Sequence, residues 1–238
     1  MAKERLDKLI ASTGRWSRRE VKTLVREGRV LVDGRIAGSA EEKYDAESCR
    51  IAVNEEELVL RRYTYVMLHK PAGVLSATED GRGRTVLDLL TPELRKIGVF
   101  PVGRLDKDTE GLLLLTDDGE LAHTLLSPKK HVDKVYYARV SGRLTPEDCA
   151  AFEAGMTLGD GLECLPAGLE ILAAGETSEC LVTLREGKFH QVKRMLAARG
   201  KPVTYLKRLS MGSLRLDDTL APGEFRLLTA AEEAQLQR

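Results

Sequence analysis

The chain has 238 residues, 42% of them hydrophobic and 31% charged, enough for one large domain or a small domain plus a medium one around a packed core. Lys+Arg and Asp+Glu are equal at 37 each, so net charge alone points to no nucleic-acid partner. The distribution says more: residues 1–40 carry ten basic against five acidic side chains, and residues 41–60 two against seven. The four cysteines, Cys49, Cys149, Cys164 and Cys180, are too widely spaced for a zinc knuckle or a redox dithiol and read as reduced. No apolar run suits a membrane span, and no signal-peptide pattern is seen, so a soluble cytoplasmic protein with no membrane partner is expected. Neither a Walker-type phosphate loop nor a dinucleotide fingerprint occurs.

Leu6, Leu9 and Ile10 give one face of a short first helix. Ser17-Arg18-Arg19-Glu20 is a capping box opening a second helix, which Gly28 suits as a C-terminal stop. Val21, Leu24 and Val25 form its apolar side, and Arg18, Arg19, Lys22 and Arg26 project from another face. Taken alone, that basic face reads equally well as a solvated helix side. Arg29 to Arg35 then reads as strand, Asp-Gly turn, strand.

Arg61-Arg62-Tyr63 reads as a hinge, dividing the chain into residues 1–60 and 61–238. Tyr65 to Gly73 is a strand stopped by a Pro/Gly turn. Thr91-Pro92 and Thr145-Pro146 are helix starts, with threonine as cap and proline in the first turn. Lys134–Val140 and Leu181–Leu184 are strands, and a helix follows from about His190 to Arg199, ended by Gly200. A last short helix opens at Thr229. This order of elements predicts an α+β fold with a mixed, mostly antiparallel sheet behind a small N-terminal α/β unit.

Four consecutive leucines, Leu112 to Leu115, bounded by polar turns predict a buried strand. Asp106 lies just ahead of it, flanked by Gly103, Arg104 and Gly111, at the rim of the core. A lone aspartate here would most simply bond its own turn. In Lys134-Val135-Tyr136-Tyr137 the two rings point to opposite faces of a strand, so one belongs to the core and either could serve a site. Glu186 to Met195 places His190, Lys193 and Arg194 at a basic helix start, which by itself is an ordinary charged surface.

Arg5-Leu6-Asp7-Lys8, the Ser17-Arg18-Arg19 start and Gly28 to Gly34 together resemble the small RNA-binding domain named after ribosomal protein S-four. The string Gly103-Arg104-Leu105-Asp106 through Gly119 resembles the catalytic loop of pseudouridine synthases. His69-Lys70-Pro71-Ala72-Gly73, the tyrosine strand, the His-Gln-Val-Lys-Arg-Met helix and Leu206-Lys207-Arg208 follow in that family's order. The resemblance implies isomerisation of a uridine to pseudouridine in rRNA, which needs no cofactor and no metal. It implies that Asp106 is the catalytic carboxylate, acting on a base drawn from its stack. Sugar attack, base addition and a glycal route stay open. Lys193 is implied as its cationic partner and Tyr136 as the pocket ring, with Tyr137 the alternative. Arg104 is implied to fill the space the base vacates, and Leu206 to line the base pocket. Arg18, Arg19, Lys22 and Arg26 are implied to grip RNA phosphates. His190 is read as structural or RNA-facing, and Lys70 as scaffold with a possible RNA contact. The string Gly103 to Gly119 and the short C-terminus after Leu220 to Phe225 look most like the small-subunit (16S) branch, expected to act on an assembly intermediate as a monomer. A large-subunit enzyme, a non-catalytic assembly factor and a nucleoside hydrolase are the competing readings.

Overall fold

A computed structural model describes residues 3–46, 48–127 and 130–236. Contacts divide the chain into two units, residues 1–64 with 90–99, and residues 65–89 with 100–238.

The first unit places two helices, Leu6–Ala11 and Arg18–Arg26, beside a four-stranded sheet. The capping box forms: the Glu20 amide donates to the Ser17 hydroxyl, and the Ser17 amide donates to the Glu20 carboxylate at 2.6 Å. Val21, Leu24 and Val25 are buried with Leu6, Leu9, Ile10, Val30 and Ile51 in one core. Asp33 and Gly34 take positive φ, as a tight two-residue hairpin between Val30–Val32 and Arg35–Ile36 requires. The helix Pro92–Ile97, capped by Thr91, groups with this unit although it lies far beyond residue 60. Gly14 lies against its backbone so closely that a Cβ there would sit 2.2 Å from the Glu93 carbonyl oxygen.

The second unit is built on a twisted sheet with strand order Gly168–Ala173, Thr177–Leu184, Lys134–Ser141, Val203–Met211, Glu110–Thr116, Tyr65–Lys70, Phe225–Leu227. Every neighbouring pair on that path is antiparallel except Val203–Met211 with Glu110–Thr116. The fold is therefore α+β on a mixed, mostly antiparallel sheet. The leucine run behaves as its composition demands: Leu112 to Leu115 have no exposed surface. So do Val66, Met67 and Leu68 of the adjacent strand.

Two inner strands, one on each side of Val203–Met211, carry the residues of interest. Glu110–Thr116 starts immediately after the aspartate turn, and Lys134–Ser141 carries the tyrosines. At the parallel contact, Gly111 (φ +106°) lies opposite Arg208, where a Cβ would come within 2.2 Å of the Arg208 carbonyl oxygen. Only glycine lets the two backbones approach that closely at this φ.

Candidate active site

Asp106 sits in a turn whose backbone is held from several directions. The Ser76 hydroxyl donates to the Leu105 carbonyl (2.9 Å) and accepts from the Leu105 amide (3.0 Å). The Gly73 amide donates to the Lys107 carbonyl at 2.7 Å, and the Thr109 amide to the Asp106 carbonyl at 3.1 Å. Beneath the turn lies Lys70, fully buried. Its ammonium donates to the carbonyls of Thr109 (2.8 Å), Pro71 (3.0 Å), Asp106 (3.1 Å) and Lys107 (3.3 Å). Burial pushes the Lys70 pKa down to about 8, against the pull of Asp108, Asp106 and Glu110. The possible RNA contact read for Lys70 is therefore corrected, because a side chain with no exposed surface meets no RNA. Lys70 is an internal clamp on the aspartate turn.

So fixed, the Asp106 side chain points into a cleft and stays about a quarter exposed. Lys193 reaches it from the helix Gln191–Ala198, with Nζ 3.0 Å from one carboxylate oxygen. The same ammonium lies 2.6 Å from Asp108. Burial works to lower the Lys193 pKa, but its bonds to Asp108 and Asp106 outweigh that and hold it above the ordinary lysine value. The Lys193 bond likewise draws Asp108 below the usual carboxylate range. The second oxygen of Asp106 faces His190 Nε2 at 3.5 Å.

The helix bearing Lys193 is oriented by the loop before it. Gln191 is buried, accepts from the Lys188 amide at 3.0 Å and donates to the Glu186 carboxylate at 2.5 Å. Glu186 in turn accepts from the Leu165 amide. His190 then takes a left-handed conformation, φ +51° and ψ +33°, unusual for a residue with a side chain and common at functional sites. That turn brings its ring to Asp106.

Tyr136 and Leu206 complete the cleft, 8% and 5% exposed. The strand alternation settles which tyrosine faces it. Tyr136 lines the cleft, and Tyr137 meets the edge of Tyr205 with ring centres 6.0 Å apart. Arg104 lies exposed at the rim. The structure thus gathers Asp106, Tyr136, Lys193, Arg104 and Leu206 around one opening. It adds four residues to which the sequence reading gave no place in the site: Lys70, Ser76, Asp108 and His190. The tight Asp106-x-Asp108 spacing was the one available hint for Asp108; a buried lysine looks like any other lysine in sequence.

The first unit carries a basic helix surface of its own. Arg18, Arg19, Lys22 and Arg26 are all exposed on one side, as expected. They are not equivalent. Arg18 bonds both oxygens of the fully buried Asp7, at 3.0 and 3.1 Å, beside Arg5. Lys22 pairs with Glu41 at 3.3 Å. Arg19 and Arg26 make no ion pair among the described residues.

A carboxylate paired with a lysine and facing a buried tyrosine can attack or stabilise a cationic sugar carbon, or add to a base. Comparison with known proteins decides the class. The pattern of the RNA pseudouridylate synthase family matches residues 64–198, and that of the S4 domain matches residues 4–48. The chain belongs to the RNA pseudouridine synthase family. It is 50% identical to an uncharacterized RNA pseudouridine synthase of Bacillus subtilis, with 96% of each chain covered. It is 40% identical to the ribosomal small subunit pseudouridine synthase A of Vibrio cholerae, over 98% of this chain and 99% of that one. The ribosomal large subunit pseudouridine synthase B of Bacillus subtilis is 38% identical, over 98% and 96%. A solved pseudouridylate synthase superposes with a TM-score of 0.68 at 35% identity, covering 98% of this chain and 99% of the other. This family member is an enzyme with an S4 RNA-binding domain, and its substrate is RNA. Among the described residues, no helix is long and apolar enough to cross a membrane.

Proposed function

We propose that this pseudouridine synthase isomerises one uridine of small-subunit (16S) rRNA, using Asp106 as the catalytic carboxylate. The observation supporting the site is the Asp106–Lys193 pair, at 3.0 Å, at the mouth of a cleft faced by Tyr136 and Leu206. Lys193 pairs with the carboxylate at 3.0 Å and fixes its direction. The base, turned out of its stack, lies against Leu206 and the Tyr136 ring. In this reading the Tyr136 hydroxyl relays the proton lost from carbon 5. Arg104 at the rim takes the space the base leaves and the adjoining phosphate. Residues 1–60 bind RNA, with Arg19 and Arg26 supplying phosphate contacts and Arg18 and Lys22 shaping the surface. Residues 61–238 carry the chemistry. The particle recognised is an assembly intermediate, and the enzyme acts as a cytoplasmic monomer.

The small-subunit assignment rests on the full-length likeness to the Vibrio cholerae enzyme. The large-subunit relative, at 38% identity, supports the second reading, a 23S substrate. Release of tritium from carbon 5 of labelled uracil separates them. Small-subunit RNA, large-subunit RNA and partly assembled particles of each are incubated with wild-type and Asp106→Ala proteins. Release from small-subunit samples alone, lost in the variant, supports the proposal. Release from large-subunit RNA alone overturns the substrate, and undiminished release by Asp106→Ala overturns the carboxylate. Free uracil released with an abasic site left in the RNA would indicate hydrolysis instead.

A further inference from the structure

Phe189 is 75% exposed, the one aromatic among the large apolar side chains left open on the described surface. It precedes His190, and the two rings lie face to face with centres 3.8 Å apart and planes 17° from parallel. His190 lines the catalytic cleft and approaches Asp106, so the pair forms a stack leading outward from the cleft. The left-handed backbone at His190 makes this arrangement, sending one ring toward the carboxylate and its neighbour into solvent. Beyond Phe189 opens a shallow cleft of mainly apolar lining, with Leu158, Ala197 and Ala198. Its only charges among the described residues are Arg194 and Asp160, which pair at 2.5 Å and cancel each other.

We propose that Phe189 is a stacking subsite for a nucleobase adjacent to the target uridine. The proposal rests on the reading that the Asp106 cleft takes that uridine. A strand with one base turned into the cleft must carry its neighbour within one phosphodiester of it, and Phe189, stacked on His190 of the cleft lining, presents an exposed ring there. Stacking is tolerant of base identity and uses no ionic contact. The self-cancelling Arg194–Asp160 pair leaves the subsite without net charge. Phe189 therefore reads the face of a base, and its share of binding does not vary with salt.

The experiment uses full-length wild-type, Phe189→Ala and Phe189→Trp proteins, with single-stranded hexaribonucleotides holding one uridine. 2-Aminopurine is placed on its 5′ side in one oligonucleotide and its 3′ side in another. Wild type and Phe189→Trp are expected to quench one of the two. Phe189→Ala should bind that oligonucleotide about tenfold more weakly, by the same factor at low and high salt, without quenching. On the rRNA that is turned over, Phe189→Ala should raise KM about tenfold and leave kcat within about twofold. No quenching by wild type, or equal quenching by Phe189→Ala, overturns the proposal. A fall in kcat at unchanged KM also overturns it, showing that Phe189 only supports His190. Quenching that depends on Phe189, with no tritium released from either rRNA, would retain the subsite and refute the function proposed above.

Discussion

Replacing Lys70 by methionine tests whether the catalytic turn is held from below. The ammonium serves four carbonyls with three protons, and three of those carbonyls belong to residues 106, 107 and 109. Charge-assisted bonds contribute about 1.5–3 kcal/mol each, so three give roughly 4.5–9 kcal/mol. Against this stands the cost of burying the charge. A fall in pKa from 10.5 to about 8 corresponds to roughly 3 kcal/mol. Lys70→Met should therefore destabilise the protein by about 3 kcal/mol near pH 7 in urea titrations. The folded pKa lies below the unfolded one, so the folded protein holds fewer protons between about pH 8 and 10.5, and wild-type stability gains across that window. The variant lacks this gain, so its deficit widens as pH rises. Ser76 and Gly73 still hold the turn at Leu105 and Lys107, so it loosens without leaving. A shift of even 1 Å in Asp106 costs about 10²-fold in rate, whereas RNA affinity does not pass through Lys70. Tritium release should show kcat down by about ten- to a hundredfold with KM within about threefold. A folded Lys70→Met protein with wild-type kcat would refute the clamp, and a deficit that stays constant from pH 8 to 10.5 would refute the lowered pKa.

Lys193→Met should lower kcat by about 10²-fold or more, because Asp106 and Asp108 then share no cation, while Asp108→Asn should cost less than about tenfold since the 3.0 Å contact to Asp106 survives; single-turnover tritium release measures both. Gly111→Ala forces a Cβ to 2.2 Å from a backbone oxygen at φ +106° and should cost about 3 kcal/mol or more, or prevent folding, as read by urea midpoint. Arg226 bridges Asp217 and Glu232, and its bond to Glu232 draws that carboxyl down to about 2. The stability it gives is complete above the ordinary glutamate value of about 4.5 and fades as pH falls toward 2, so melting temperatures of wild type and Arg226→Ala should converge in acid. Paired Arg19→Glu and Arg26→Glu changes should weaken RNA binding and lower its salt slope by roughly 2. Arg18→Glu should instead unfold the first unit, because it sets a carboxylate against buried Asp7.

The parts of this molecule that were legible in sequence are those where local chemistry and tertiary structure agree. The capping box at Ser17, the Asp-Gly hairpin and the leucine strand each carry their own signal, and each forms. Val203–Met211 gives a weak strand signal because its inward positions include Arg208, which is 2% exposed and breaks the alternation of a buried strand. Gly168–Ala173 is faint in sequence for the opposite reason. It is an edge strand with only Leu169 buried, so it shows too little apolar pattern to stand out. The site shows the same division. Side chains that face the cleft could be picked out by type and spacing, since a carboxylate, a tyrosine and a lysine have recognisable chemistry. The groups that aim them act through backbone atoms: Lys70 and Ser76 hold carbonyls and an amide, and Gln191 holds the loop that turns His190 inward. A sequence does not state which backbone groups lie beside which side chains. It follows that replacing Asp106 tests the chemistry, whereas replacing Lys70 or Gln191 tests the placement, and the two sets should separate. Gln191→Leu should retain RNA binding while shifting the optimum geometry of both Lys193 and His190, lowering kcat by about tenfold or more. If Gln191→Leu leaves kcat unchanged, the helix start finds its place without the Glu186–Gln191 tie, and the turn at His190 is set by its own backbone.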